Sequence, residues 1–417
     1  MPKQAVIQVF EHGSIVWKAG RRHHHKDFKE EHYKAFEACF SASGRSPFFE
    51  LIPYGVRFTS HVGAIHIGGL TIEVLPKADR DSQADSMQPV LLDMLKTCTL
   101  LTARHTGSAP LKLRAHSILE LYFELFLLEL ESLVRRGLLK QYRRMEGQQA
   151  SLKGALVFSR HLSANVVHRE RFYTRHTGYD HDHVLLQILQ EALLLISQLC
   201  QEPMLSDAIG RLRLAFPEVS RIKVQPAHFD RIPASRKTAP YRTALDIARL
   251  LLLNFRPDIS AGRNDMLALM FDMNSLWEEF ILRKLQRAAR GRYKVSGQRS
   301  TRFWESKTIR PDIVVESLSE PGRQWVIDTK WKVIDARHPG DDDLRQIYAY
   351  NHHWNARHSL LLYPLTHGQM DAHGRYILPF KDQPHACTLA FVEVMKEGKL
   401  NAGIGEEVLG KLQHEGL

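Results

Sequence analysis

Two aspartates and a lysine stand in this chain with the spacing that metal-assisted hydrolysis of a phosphodiester requires. Asp312 heads one short apolar run, TIRPDIVVESL, and Asp328 and Lys330 share a second, WVIDTKWK. A hard divalent cation such as Mg2+ takes oxygen ligands and keeps several waters for the reaction. Asp312, Asp328 and the carbonyl of Thr329 supply such oxygens, and Mn2+ suits the same donors. Lys330 would orient the attacking water and offset the charge that builds in the transition state. A further carboxylate, Glu278, lies upstream in MFDMNSLWEEFILRKL.

These residues need elements to hold them. Both apolar runs are rich in β-branched and aromatic residues, and SEPGRQ separates them, so the spacing predicts a β-hairpin. Side chains alternate along a strand. Val326, Asp328, Lys330 and Lys332 therefore share one face, and Trp325, Ile327, Thr329 and Trp331 the other. Around Glu278 the pattern is helical: Leu276, Trp277, Phe280, Ile281, Leu282 and Leu285 form one broad apolar arc. Glu278 falls within that arc and Glu279 outside it. A carboxylate on a buried face is costly unless it pairs or binds metal, so Glu278 is the candidate. The triplet Arg256-Pro257-Asp258 repeats Arg310-Pro311-Asp312 without a following strand or Asp-x-Lys, and is set aside.

Helix glutamate, Pro-Asp, strand, turn, strand with Asp-Thr-Lys, and then QIYAY resemble the PD-(D/E)xK nuclease superfamily. Gln346 and Tyr350 match the QxxxY element of its RecB-like branch. The wording MNSLWEEF, RPDIV, IDTKWK, LRQIYAY and LLLYP is similar to the McrC family, the nuclease subunits of McrBC-type systems that cut modified DNA. VGAIHIGGLTIEVLPKAD with LLDML resembles the first domain of that family, and LKGALVFSRHL its middle segment. The resemblance spans roughly residues 60–365 and is strongest over 271–363. Trp331 stands where the family more often has Tyr, and HVLLQILQEAL lacks an expected Asn at its start. The resemblance implies a catalytic set of Glu278, Asp312, Asp328, Lys330, Gln346 and Tyr350, with Mg2+ held by Asp312, Asp328, Thr329 and Glu278. It also implies double-stranded DNA as substrate, a product with a 5′-phosphate, and an McrB-like AAA+ GTPase ring as partner. The N-terminal and middle domains would dock on that ring and stimulate it.

Composition is consistent with this. The chain has 417 residues, 44% hydrophobic and 25% charged, enough for two or three domains with cores of their own. A net charge of +11 favours a polyanionic partner. Between Arg283 and Arg310 ten basic residues face a single acid, Glu305. Four scattered cysteines without a CxxC pair argue for a reducing compartment and against structural zinc. The N-terminus has no signal-like apolar core, and no run reaches membrane length, so a cytoplasmic protein with no membrane partner is expected.

The expected architecture is multidomain α+β. Residues 1–110 form a small β-rich domain suited to partner docking, 111–265 a mostly helical middle region, and 266–417 an α/β PD-(D/E)xK nuclease domain. Two strands flank a His-Gly turn in AVIQVFEHGSIVWK. His23, His24 and His25 lie in a solvated loop, because three adjacent side chains on a regular element cannot face one ion. DRDSQADSMQP reads as a loop before the helix LLDMLKTCTLL. Long helices are expected from 115 to 139, in HVLLQILQEALLLISQLC and in ALDIARLLLLNF. GEEVLGK fits phosphate-loop spacing, but Leu412 replaces the required Ser or Thr and no strand precedes it, so the motif is rejected. Two other readings remain: a non-catalytic adaptor that activates a ring NTPase, and a stand-alone RecB-like repair nuclease.

Overall fold

In a computed structural model, the protein is described over residues 6–77, 84–100, 117–168, 170–256, 265–332, 334, 339–366, 369–377 and 384–413. It is a mixed α/β chain of two compact units. One joins 1–110 to 257–417, and the other is 111–256.

In the first unit the predicted strands around the His-Gly turn form, as Val6–Phe10 and Ser14–Val16. They part company at the turn, where His12 adopts a φ of 59°. Val6–Phe10 pairs parallel with Leu70–Leu75, while Ser14–Val16 joins Gly55–Phe58 and Phe49–Ile52 in a small antiparallel sheet. Leu70–Leu75 continues antiparallel to His61–Ile67, which pairs in turn with Met266–Asp272. The segment that opens the expected third domain therefore joins a sheet begun by the first. Its residues Met266, Ala268 and Met270 enter the core formed by Ile7, Phe36, Phe58 and Ile65. Burial of those side chains couples the two ends of the chain.

The second sheet carries the candidate site. Across it run Tyr293–Gly297, Ile313–Ser317, Gln324–Thr329, His358–Pro364, Ala386–Val392 and Ala372–Arg375. The predicted hairpin is Ile313–Ser317 with Gln324–Thr329, in antiparallel register from Ile313 opposite Ile327 to Glu316 opposite Gln324. Its turn has a physical basis in the sequence. Arg323 N donates to Glu320 O at 3.1 Å, Pro321 presets the second position, and Gly322 takes the third at a φ of 87°. The next strand, His358–Pro364, pairs parallel with Gln324–Thr329. A parallel neighbour requires a crossover, and the helix Asp341–Trp354 supplies it. Three aspartates in its first turn complement the helix dipole, and Asn355 closes it at a φ of 51°. Its Ile347, Tyr350 and Trp354 pack on Val314, Val326, Leu361 and Phe391 of the sheet.

The helix Met273–Ala288 starts where Asp272 Oδ1 accepts Ser275 N at 2.9 Å. Its buried residues include all six of the predicted apolar arc. Trp277 meets Trp331 edge to face, with ring centroids 5.2 Å apart.

One sequence expectation needs correction. The run before LLDML is helical from Ala84, with Pro89 inside the helix Ala84–Leu100. A polar start with a proline in the second turn looks like a loop in sequence, and the helix forms in spite of the one i to i−4 hydrogen bond that Pro89 cannot make. The remainder of that run, residues 78–83, lies outside the described residues, as does Asp258 of the set-aside triplet. GEEVLGK lies within the helix Ile404–Gln413 and forms no phosphate loop.

In the second unit the expected helices are Ile118–Arg136, Val184–Leu199 and Arg242–Leu253, joined by Pro203–Ala215. The unit also contains a nine-residue antiparallel pair, Gln141–Gln149 with Phe172–Asp180, to which Ala155–Leu156 adds. Gln141–Gln149 alternates between half-buried and exposed positions and has no buried face. It therefore lacks the apolar alternation by which a strand is recognised. No helix among the described residues is long and apolar enough to cross a membrane.

Candidate active site

The hairpin delivers Asp312 and Asp328 to the same place. Extending the register by one pair beyond Ile313 and Ile327 sets Asp312 opposite Asp328. Opposite residues in an antiparallel pair lie on the same face. Asp312 Oδ2 accepts both the Thr329 backbone N–H at 2.7 Å and the Thr329 hydroxyl at 3.0 Å. Those two bonds hold the carboxylate against the end of the neighbouring strand.

Asp328 is 1% exposed. Its Oδ2 lies 2.8 Å from the Lys330 ammonium, an ion pair, but receives no hydrogen bond of good geometry from any described residue. Burial, then the charge of Asp312, push the Asp328 carboxyl up to about 7, against the opposing pull of Lys330. Asp312 is raised as well: burial outweighs the Thr329 hydrogen bonds and the charges of Lys330 and Arg310. The two acids thus face each other with one lysine ammonium in contact with Asp328 and the charge of Arg310 acting on Asp312.

Lys330 is kept protonated. Burial pulls its affinity for the proton down, but Asp328, Asp343 and Asp312 together hold it above the ordinary lysine value. Its Nζ donates to Gln346 Oε1 at 3.3 Å, and Asp343 Oδ1 stands 3.7 Å away. Gln346 Nε2 donates to the Tyr350 hydroxyl at 2.8 Å, which donates to the Arg310 carbonyl at 2.9 Å. Gln346 and Tyr350 lie four residues apart on one helix face, so the connection follows from helical geometry. A continuous polar chain therefore runs from Asp328 through Lys330, Gln346 and Tyr350 to the segment that enters Asp312.

Glu278 reaches the same cluster from the helix. Burial and Asp312 raise its carboxyl, and its Oε1 accepts Gln298 Nε2 at 2.8 Å. Glu279 instead pairs with Arg283 on the helix surface. All six predicted side chains and Thr329 are thus brought to one end of the hairpin. No three His, Cys, Asp or Glu side chains among the described residues stand together as a ready-made metal cage, at this site or around His23–His25.

Three participants were not singled out in sequence. Gln298, at a φ of 50°, holds Glu278 with its side chain and donates its N–H to Asp312 O at 2.8 Å. Asp343 receives Lys332 at 2.6 Å as well as facing Lys330. Glu11, 5% exposed, accepts Trp331 Nε1 at 2.8 Å and Lys77 N at 2.8 Å. An amide in a basic loop, one of three consecutive aspartates and a residue 320 positions away carry no periodic signal. Asp343 alone was within reach, through its i, i+3 relation to Gln346.

With this geometry in hand, comparison with known proteins decides the family. Residues 56–364 match the family model described as McrBC 5-methylcytosine restriction system component. The chain belongs to that family. The McrC resemblance read from the sequence agrees with it. The fold is shared with a chain from the refined half-complex of a tetradecameric assembly of Thermococcus gammatolerans McrB AAA+ hexamers with bound McrC. That match has a TM-score of 0.63 at 18% identity, covering 98% of this McrBC-family chain and 100% of the other. A chain of the cryo-EM structure of the Thermococcus gammatolerans McrBC complex matches at 20% identity and a TM-score of 0.47, covering 68% and 88% respectively. No curated protein matches.

Proposed function

We propose that this chain is the divalent-metal-dependent DNA endonuclease subunit of its McrBC-type restriction system. It would cut methylated double-stranded DNA in concert with an McrB-like AAA+ GTPase ring, whose hydrolysis it would stimulate. The second sheet with its flanking helices would be a PD-(D/E)xK nuclease domain. The observation that carries this reading is the facing pair of a half-buried Asp312 and a buried Asp328, clamped from one side by a protonated lysine.

The residues fit a hard cation. Asp328 has a buried oxygen without a hydrogen-bond donor, and Asp312 stands opposite it on the same face. Asp312, Asp328 and the Thr329 carbonyl would hold Mg2+, or Mn2+, with Glu278 at the edge of its shell. Bound there, the ion would polarise the phosphoryl group and make water a better nucleophile at neutral pH. The absence of a full protein cage accords with Mg2+, which retains waters and substrate oxygens among its ligands.

The chain's own residues do the rest. Lys330, charged and held between Asp328 and Gln346, would sit beside the phosphoryl oxygens as negative charge accumulates on them. Gln346 fixes the direction of the ammonium, and Tyr350 anchors Gln346 to the backbone at Arg310. Thr329 pins Asp312 through Oδ2, and Oδ1 would serve as the metal ligand. Water would attack phosphorus, the P–O3′ bond would break, and the 3′ oxygen would leave and take up a proton as a 3′-hydroxyl, so that a 5′-phosphate remains.

Lys330→Ala and Asp312→Asn should each reduce cleavage at least about 100-fold while binding to the ring is retained. Full cleavage by either purified variant would remove this site from the reaction.

A further inference from the structure

Between Gln298 and Arg310 the chain leaves the sheet as a separate two-stranded hairpin, Thr301–Trp304 with Lys307–Ile309. Glu305 turns it at a φ of 40°. Both ends of this excursion are tied to the site. Gln298 holds Glu278 on one side, and Arg310 gives its carbonyl to Tyr350 on the other.

The hairpin has an unusual surface. Phe303 is 52% exposed and Trp304 60%, the only aromatics among the exposed large hydrophobics described in this unit. The other five tryptophans of the chain are buried or half-buried. Two large aromatics exposed on one short hairpin leave apolar area in water that a bound partner would cover. Arg302 and Lys307 are exposed and, among the described residues, face no carboxylate at ion-pair distance. Arg299, Lys294, Arg292 and Arg283, by contrast, are already matched to Glu316, Glu406 or Glu279. Four of the ten basic residues between Arg283 and Arg310 are thus matched by carboxylates, and the two on the hairpin are not. Phe303 also meets His353 with ring centroids 6.2 Å apart, which lays the hairpin beside the helix of Gln346 and Tyr350.

We propose that the hairpin Thr301–Ile309 is a duplex-DNA grip beside the reactive acids, with Arg302 and Lys307 on phosphates and Trp304 against a base step. This rests on the nuclease reading above and adds the element that seats the substrate. Unpaired cations flanking an aromatic wedge are the chemistry of backbone neutralisation combined with groove insertion. The hairpin carries Arg302 and Lys307 against the single acid Glu305, a net positive charge that favours a polyanion over an acid-poor protein surface.

The test is binding of a fluorescein-labelled 30-base-pair duplex to the full chain in EDTA, where no cutting occurs, across a salt series. Trp304→Ala should weaken binding about tenfold and Trp304→Phe should restore most of it. The double variant Arg302→Gln/Lys307→Gln should lower the slope of log K against log salt by about two, roughly 0.9 for each phosphate no longer neutralised. Duplex should quench tryptophan emission in the parent protein, and that quenching should vanish in Trp304→Phe. Thermal unfolding of the variants should match the parent, because the side chains are exposed. Unchanged affinity, slope and quenching would overturn the proposal. So would variants that keep DNA binding but lose binding to the AAA+ ring, which would make the hairpin a protein dock. Because this readout needs neither metal nor cleavage, a failure of the nuclease reading would appear separately, as cutting that survives Lys330→Ala.

Discussion

Asp328→Asn should separate stability from activity. In the parent protein, burial and Asp312 hold this carboxyl at about 7 instead of its ordinary 3.8. A raised folded value means the native state binds the proton more tightly than the unfolded chain. Without a divalent cation, stability therefore falls as pH climbs from about 4 to about 7 and levels off above that. At about 1.4 kcal/mol per tenfold, the ionised carboxylate costs the fold roughly 4 kcal/mol at about pH 8. The side chain is almost wholly buried, so solvent screening gives little relief. Asparagine keeps the shape and cannot ionise, while its buried amide costs roughly 1–3 kcal/mol. In EDTA at about pH 8 the variant should be more stable than the parent by about 1–3 kcal/mol, and the advantage should disappear near pH 5. Urea unfolding followed by circular dichroism at both pH values reads this directly. Mg2+ should then stabilise the parent and leave Asp328→Asn unmoved. A variant less stable than the parent by the same amount at both pH values would refute the reasoning, since Asp328 would then be an ordinary carboxylate.

Two other substitutions probe how the site is held. Tyr350→Phe removes the donor to the Arg310 carbonyl and the acceptor for Gln346; it should cost about 1–2 kcal/mol in unfolding and slow cleavage roughly tenfold, measured on one preparation. A variant with normal kinetics would show that Lys330 does not depend on this chain of hydrogen bonds. Glu11→Ala strands the indole of Trp331 and the Lys77 N–H and should destabilise by about 2–5 kcal/mol, whereas Glu11→Gln keeps an acceptor and should lose much less. Equal losses in chemical denaturation would mean that the Glu11 charge, rather than its hydrogen bonds, holds Trp331.

Much of the site was legible because its elements are periodic. The hairpin announced itself by β-branched runs around Glu-Pro-Gly, whose turn geometry those residues dictate. The choice of Glu278 over Glu279 followed from the helical wheel, and in the structure Glu278 faces Asp312 while Glu279 faces Arg283. Gln346 and Tyr350 lie on one helix face by spacing alone. What stayed hidden depends on long-range packing. That Met266–Asp272 belongs to the sheet of His61–Ile67 could not be read locally, because an apolar strand does not specify its neighbour. Gln298 owes its place to a left-handed backbone conformation, and the Glu11–Trp331 bond spans most of the chain. The strand pair between Gln141 and Asp180 escaped notice because its first strand has no apolar face, and the polar turn at Ala84 looked like loop.

The most direct test of the proposed reaction is cleavage of methylated and unmethylated plasmid by the full chain, with and without an McrB-like AAA+ protein and GTP. Reactions in Mg2+ and in EDTA would run beside an Asp328→Ala control. Methylated plasmid should be cut only with Mg2+, the AAA+ protein and an intact Asp328. Cutting that persists in Asp328→Ala would contradict it. So would a chain that stimulates the ring NTPase yet cuts nothing under any condition.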